Sequence, residues 1–355
     1  MTYVHGGDIY TNEYRLDFSA NICPFGMNES VYQAALCGMR ESVAYPDSRC
    51  RRLRCKIGDV YHIPAEWTIA GNGAADVLFS LVLAEKPKKG MILAPAFQEY
   101  EQALRSVDSQ IVVWERHPEH DFEVGEAFVG YLEQQLKEGL DMVFFCTPDN
   151  PSGSLISKDI LRKSLELCEK YGARMVVDES FWEFAYDHVE DTMLPLVQQS
   201  EALFLLRSFT KMYGMPGLRL GYGICSDQML LERMEEIRQP WSVSVPAQEA
   251  GIAALDEKEW VRQVKCYVAE QRQWMAEQLT KLGCRVYPSS ANYLLFYLEQ
   301  NLMEPLKKKG ILIRDCSNYR GLGKGYYRVA VKRKEENRQL IEALCDVISN
   351  KCDKQ

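Results

Sequence analysis

Ser208-Phe209-Thr210-Lys211, followed by Arg219 in Gly217-Leu218-Arg219-Leu220-Gly221, brings two hydroxyls, an amine and a guanidinium into one short stretch. Hydroxyls and a guanidinium are groups that hold a phosphate dianion. A lysine amine kept beside them can attack an aldehyde carried by the same phosphate-bearing molecule. The spacing therefore predicts a covalent site at Lys211, with Ser208, Thr210 and Arg219 around the phosphate.

Three upstream segments extend that site. Asp178 ends the run Ala173-Arg174-Met175-Val176-Val177-Asp178-Glu179, which reads as a buried parallel strand delivering a carboxylate at its C-terminal edge, where such sheets bind ligands. Asn150, in Thr147-Pro148-Asp149-Asn150-Pro151-Ser152-Gly153, offers a neutral donor from the loop after the strand Met142 to Cys146, with prolines restricting the backbone on either side. Gly71-Asn72-Gly73-Ala74-Ala75-Asp76 lies between a strand and a helix, so Gly73, Ala74 and Ala75 form a small-residue helix N-terminus, a ready anion site. An acid for a ring nitrogen, an amide for a ring oxygen, a helix end for a phosphate and a lysine for an aldehyde are the contacts that pyridoxal 5′-phosphate requires. Taken singly each is ordinary: a lone Lys is a solvated charge, a lone Asp a helix cap, Gly-Asn-Gly a turn. Their order along the chain, each at a strand end, is what points to the cofactor.

The elements that must position these groups follow from hydrophobic periodicity. From about residue 45 to 238, short apolar runs alternate with helical patterns, as strand-helix-strand units do. Candidate strands are Trp67 to Ala70, Met91 to Ala94, Gln110 to Trp114, Met142 to Cys146, Arg174 to Val177, Leu203 to Leu206 and Leu220 to Ile224. A long helix is predicted from about Pro246 to Lys281, with Trp260, Val264, Tyr267 and Val268 as a core stripe. Strands near Arg285 to Tyr287, Tyr293 to Tyr297, Ile311 to Arg314 and Tyr327 to Val331, then a helix from Glu335 to about Ser349, complete a smaller α/β unit.

On these motifs the chain resembles the fold-type I pyridoxal phosphate enzymes of the aspartate aminotransferase superfamily, over nearly its whole length. Within it, the chain is similar to the branch holding histidinol-phosphate aminotransferase and the threonine-phosphate decarboxylase of cobalamin biosynthesis. His5-Gly6-Gly7-Asp8, Asp17-Phe18-Ser19-Ala20-Asn21-Ile22, Ile313-Arg314-Asp315-Cys316-Ser317-Asn318-Tyr319 and Tyr327-Arg328-Val329-Ala330-Val331-Lys332 point to the decarboxylase. The resemblance implies an α/β fold with a large, mostly parallel seven-stranded sheet and a smaller α/β domain. Its parts are an N-terminal arm (1–40) packing with the small domain, a large cofactor-binding domain (41–240) and a small C-terminal domain (241–355).

The resemblance also implies roles. Arg328 matches the arginine that grips a substrate carboxylate, and Phe97 falls where the family stacks a ring on the cofactor. Tyr45 matches a tyrosine reaching the cofactor phosphate of a neighbouring subunit, which implies a homodimer with a shared site. Where histidinol-phosphate aminotransferases resemble Asp-Glu-Ala-Tyr, this chain has Asp178-Glu179-Ser180-Phe181, so the phenol donor is replaced by Phe181. Arg314 and His5, with Lys332 and Asn318 behind them, are the candidates for a substrate phosphate, and Asn21 and Asn150 for further substrate contacts. Decarboxylation of threonine phosphate leads, with a histidinol-phosphate-type transamination as the alternative.

Composition narrows the partners. With 355 residues and a net charge of −8, the chain has the core size of a large α/β unit and the wrong overall charge for a general nucleic-acid or anionic-membrane binder. A cofactor-sensing regulator on this fold would need an attached DNA-binding module, and the chain has no spare segment for one. Against that acidic background, residues 305–334 hold ten Lys or Arg and one acid, Asp315, a bias that favours an anionic substrate. Twelve scattered cysteines without a Cys-x-x-Cys pair predict reduced, packed thiols and no metal centre. No long apolar run and no secretory pattern at Met1 to Gly7 is present, so a cytoplasmic location is expected.

Overall fold

In this computed structural model, which describes residues 6–188 and 191–352, a strand edge collects the lysine, carboxylate, amide, hydroxyls and guanidinium that the cofactor motifs named. The first part of the chain gives β1 (Leu16–Asp17), α1 (Glu29–Glu41), α2 (Arg51–Tyr61), β2 (Thr68–Gly71), α3 (Ala74–Glu85), β3 (Lys89–Ala94), α4 (Gln98–Arg105), β4 (Gln110–Glu115), α5 (Glu126–Lys137) and β5 (Met142–Cys146). There follow α6 (Lys158–Tyr171), β6 (Arg174–Asp178), β7 (Leu203–Ser208), β8 (Gly221–Ile224), α7 (Gln228–Ile237), α8 (Val245–Ala254) and α9 (Lys258–Lys281). The last part holds β9 (Arg285–Val286), β10 (Tyr293–Tyr297), α10 (Met303–Lys308), β11 (Ile311–Leu312), β12 (Arg314–Asp315), β13 (Tyr326–Ala330) and α11 (Lys334–Cys352). No helix among the described residues is long and apolar enough to cross a membrane.

Seven strands form one sheet in the order β2-β8-β7-β6-β5-β3-β4. All five residues of β5 and of β6 are buried, as expected for central strands covered on both faces. Local chemistry sets the helices between them. In α6, Ser157 caps the first turn by accepting from the Ile160 N–H, Ile160, Leu161, Ser164, Leu165 and Cys168 make the buried stripe, and Gly172 ends the helix at φ 71°. β8 departs from the expected parallel order and pairs antiparallel with both β7 and β2. No crossover helix separates β7 from β8. The loop 209–220 returns the chain directly, and that loop carries Lys211 and Arg219.

Two further expectations change. The predicted helix 246–281 is broken between α8 and α9, and at the break the Glu257 carboxylate accepts from Asn28 Nδ2 at 3.0 Å and from the Ser30 hydroxyl at the start of α1. The two helices thus meet different neighbours. Of the predicted core stripe, Val264 and Val268 are buried, while Trp260 and Tyr267 are half-buried and pack around Phe25, at ring separations of 5.8 and 4.7 Å. The predicted strand 311–314 also divides. β11 pairs in parallel with β1, Leu16 opposite Ile311, whereas β12 joins the antiparallel sheet β12-β13-β10-β9. A second bond from the N-terminal arm, Ala330 N–H to Phe18 C=O at 2.8 Å, ties residues 16–18 to that sheet.

Candidate active site

One cavity of about 580 Å³ opens where the C-terminal edge of the large sheet faces the small one. Its large-sheet wall holds Ala74, Ala75, Phe97, Asn150, Asp178, Phe181, Ser208, Thr210, Lys211 and Arg219; Asn21, Arg314 and Arg328 complete the opposite side.

The anion pole is built from backbone. Gly73 at φ 93° precedes the first turn of α3, and a Cβ there would lie 2.4 Å from Arg219 Nη2, so only glycine admits the guanidinium. Gly221, at the start of β8, lets that strand touch the same turn: a Cβ there would fall 2.3 Å from the Ala74 nitrogen. Ser208 Oγ and Thr210 Oγ1 lie 2.7 Å apart. Arg219 takes a left-handed φ of 59° and donates from Nη1 to Pro216 C=O at 3.1 Å, a strained non-glycine backbone held at a site.

At the base of the cavity, Asp178 Oδ1 accepts from the Ser180 N–H at 2.8 Å and Oδ2 from the Tyr100 hydroxyl at 2.6 Å. Tyr100 is fully buried, stacked on Phe144 at 5.2 Å, with Phe97 edge-on to it at 5.6 Å. Burial pushes the Asp178 carboxyl above the usual carboxylate range, while the Ser180 and Tyr100 bonds and the Lys211 charge pull it down. Burial, together with the charges of Arg328 and Arg219, lowers the Lys211 ammonium to about 8, and its Nζ stands 5.7 Å from the Phe181 ring centroid. A neutral amine is the form that attacks a carbonyl.

Opposite stand two arginines from adjacent strands. Arg314 and Arg328 are direct cross-strand partners of β12 and β13, and each is 5% exposed. Arg328 donates from Nη1 to Asn150 Oδ1 and from Nη2 to Ser19 C=O at 3.2 Å. With its oxygen so engaged, the Asn150 amide has its Nδ2 left to donate elsewhere. Arg314 donates from Nη2 to Asn318 Oδ1 at 2.9 Å and from Nη1 to Asp315 C=O, with the Tyr319 ring beneath it at 5.2 Å.

Three expected residues are not in this assembly. Lys332 lies past the end of β13, where Asn337 bonds both its N–H and its C=O and turns the chain into α11, so its side chain does not border the cavity. His5 lies outside the described residues, although Gly6 and Gly7 beside it line the cavity. Tyr45 is 81% exposed, stacked on Trp241 at 4.8 Å, and away from the cavity of its own chain. Conversely, Tyr100 lines the cavity without being marked by sequence, Tyr319 lines it and appears in the sequence only as the end of a motif, and Glu99, outside the lining, feels the Lys211 charge. Tyr100 follows Phe97 by three residues, a helical spacing that puts both on one face. Nothing in the sequence marks Glu99, whose carboxyl burial pushes up to about 7 against the pull of Lys211.

The sequence pattern described as aminotransferase class I and II matches residues 14–344. The chain belongs to the class I and II aminotransferase family. The cofactor of that family is pyridoxal 5′-phosphate. A threonine-phosphate decarboxylase of Salmonella typhimurium is 34% identical over 357 residues, 97% of this chain and 96% of its own. Histidinol-phosphate aminotransferase 2 of Archaeoglobus fulgidus is 30% identical over 336 residues, 94% of this chain and 93% of its own. The crystal structure of the histidinol-phosphate aminotransferase from Clostridium acetobutylicum matches with a TM-score of 0.88 at 27% identity, covering 95% of this chain and 100% of that one. The donor set of the cavity fits the family cofactor: backbone and hydroxyl donors with a guanidinium for a phosphate, a buried carboxylate for a ring nitrogen, an amide for a ring oxygen, and a lysine between them.

Proposed function

We propose that this class I and II enzyme decarboxylates L-threonine O-3-phosphate to (R)-1-aminopropan-2-ol phosphate, the reaction of cobalamin side-chain synthesis. The observation that carries this reading is the cross-strand pair Arg314 and Arg328. Like charges directly opposite one another destabilise a sheet, and burial of both makes the repulsion worse. A site that keeps them is built for a ligand that carries two anionic groups at once. Threonine phosphate carries a carboxylate and a phosphate on one molecule. Histidinol phosphate carries a single anionic group and would leave one of the two cations unmatched; glutamate would meet both with its two carboxylates, so in an aminotransferase the pair would be matched in only one half-reaction. The 34% identity to a protein named threonine-phosphate decarboxylase supports the same reading.

When bound, the cofactor withdraws electrons from the substrate α-carbon and makes its bonds labile; the bond that breaks is the one set perpendicular to the ring. The protein's part is orientation. Arg328, fixed by Asn150 and by Ser19 C=O, takes the carboxylate in its two-pronged grip, and Arg314 takes the phosphate. Pinned at both ends, the substrate would have its carboxylate held in one fixed orientation. Asp178 would hold the ring nitrogen's proton, Asn150 would donate to the ring oxygen, and Phe97 would cover the ring. Lys211 is the residue that would hold the cofactor covalently, and its Nζ would supply a proton to the α-carbon after carbon dioxide leaves. Phe181, beside Lys211, provides no phenol to the ring oxygen, unlike the tyrosine of the aminotransferase pattern.

On this reading Tyr45 serves a second subunit's cofactor phosphate, and the enzyme works as a homodimer. Its exposure, with Met39 at 63% and Val43 at 96% exposed nearby, supports this.

Carbon dioxide release from threonine phosphate, with no keto acid formed, is the deciding assay. Rapid glutamate-linked turnover of histidinol phosphate with 2-oxoglutarate, and no gas from threonine phosphate, would overturn the assignment in favour of the transaminase.

A further inference from the structure

Arg116 follows β4 and makes no contact with the cavity, yet its guanidinium reaches the backs of two segments that do. Its side chain is 1% exposed. The Arg116 N–H donates to Ala94 C=O at 2.7 Å, and Nη2 donates to Leu93 C=O at 3.3 Å and to Pro95 C=O. These carbonyls end β3 and lead, two residues on, to Phe97. The same Nη2 lies 2.8 Å from Asp149 Oδ1, and the Asp149 side chain is 3% exposed. Asp149 immediately precedes Asn150. Its other carboxylate oxygen accepts from the Ser152 hydroxyl at 2.6 Å and the Ser152 N–H at 3.1 Å, and its C=O accepts from the Tyr293 hydroxyl at 2.6 Å.

β4, β3 and β5 are neighbours in the sheet, so the guanidinium stretches across the end of β3 to the end of β5. A buried ion pair is a poor device for stability alone, since apolar residues of the same volume do as well or better. Its use lies in geometry: one terminal nitrogen, Nη2, held in place by the planar guanidinium, meets both loops, while Nε and Nη1 are buried without a partner among the described residues. A ligand-holding side chain works only within about 0.5 Å of its productive place.

We infer that Arg116 is a positioning residue that clasps the Phe97 segment to the Asn150 segment through Asp149, and so sets the spacing between the ring-face contact and the ring-oxygen donor. The inference rests on the assignment of Phe97 and Asn150 as cofactor contacts. Lysine in its place keeps the charge and loses the rigid planar group that fixes where the donor nitrogen lies; asparagine at 149 keeps the volume and loses the charge. Both variants are to be measured as holoenzyme in three ways: cofactor dissociation, visible circular dichroism of the bound cofactor, and amide hydrogen exchange by peptide. For Arg116→Lys and Asp149→Asn alike, faster exchange confined to residues 94–98 and 147–153 is expected. The accompanying loss of cofactor affinity should be about tenfold or more, the size seen when a partner that orients a liganding side chain is removed, together with an altered dichroism band. The double variant should lose little beyond the single ones, because the two side chains act as one unit.

Unchanged exchange in either segment and unchanged dichroism, in variants that fold, would overturn the clasp. So would a uniform rise in exchange over the whole chain, or failure of both variants to fold, since the pair would then be a general strut. If both segments loosen together and cofactor retention is unaltered, the clasp stands and the assignment of Phe97 and Asn150 falls.

Discussion

The two ends of the cavity are built by different means. At the proposed cofactor end, each group sits on or next to a strand end of one sheet, and most hydrogen-bond partners are close in sequence: Ser208 with Thr210, Asp178 with Ser180, Arg219 with Pro216, with Tyr100 reaching Asp178 from farther off. At the proposed substrate end Arg314 has local partners, Asp315 and Asn318, but lies opposite Arg328, which is held from distant parts of the chain. Arg328 bonds Asn150, 178 positions away, and Ser19, 309 positions away. The first end is a property of local motifs. The second exists only once the whole topology has closed, and its cross-strand arginines repel until an anion lies between them.

If that division is right, changes at the first end should abolish chemistry and changes at the second should alter which substrate is chosen. Lys211→Ala is expected to show the largest effect, a loss of turnover of about 10⁴-fold or more, because it removes both the covalent link and the proton carrier. Borohydride reduction of the wild type should fix the cofactor to Lys211, and a reduced adduct mapped by mass spectrometry to another lysine would undo the assignment. Next comes Arg328→Lys, expected to lower kcat/KM about 10²-fold, since a point charge does not fix the carboxylate plane. Near wild-type turnover there would remove Arg328 from the grip. Arg314→Gln should raise KM for threonine phosphate at least about tenfold and leave the poor turnover of free threonine unaltered; equal losses on both substrates would mean that Arg314 does not hold the phosphate.

The desolvated lysine has a stability signature that separates the two ends without any substrate. Its folded value is about 8 against 10.5 ordinarily, so between those values the unfolded chain binds the proton and the folded chain does not. Stability of the cofactor-free protein therefore rises with pH through that window, and below about pH 8 the buried charge is a constant burden. Lys211→Met should be more stable than wild type at pH 7 by on the order of 3 kcal/mol, with the gap closing towards pH 10. Denaturant titrations at several pH values measure it, and a gap that does not vary with pH would show the lysine to be solvated.

The smallest expected effect is spectral. Phe181→Tyr adds a hydroxyl beside Lys211, and a hydrogen bond of ordinary strength to the ring oxygen lowers the pH midpoint of the bound cofactor's visible spectrum by about half a unit to one unit. An unchanged or raised midpoint would place residue 181 away from the ring oxygen.

The same division explains what could be read from sequence. Lys211, Asp178, Asn150 and the glycine turn at 71–73 were legible because cofactor chemistry demands those residue types at strand ends, and strand ends follow from apolar runs. Arg314 was legible as part of a motif, but its position opposite Arg328 was not. The apolar run 311–314 looks like one strand, and only the competing partners β1 and β13 divide it. Lys332 was misplaced because strand periodicity was extended past Ala330, where Asn337 captures the backbone. The reversal of β8 and the break between α8 and α9 depend on tertiary partners in the same way. Tyr100 was hidden for another reason: a buried phenol in a helix reads as core, and here it is both core and a donor to Asp178.

The pairing of β1 with β11 also orders events during synthesis. Residue 16 leaves the ribosome long before residue 311, and at about 5–20 residues per second the arm waits some 15–60 s for its strand partner. β8, the last strand of the sheet whose edge bears Asp178 and Lys211, ends at Ile224, 87 residues before β11 begins at Ile311. For the last ~4–17 s of that interval the nascent chain therefore presents that edge without a wall to exclude water or a grip for substrate.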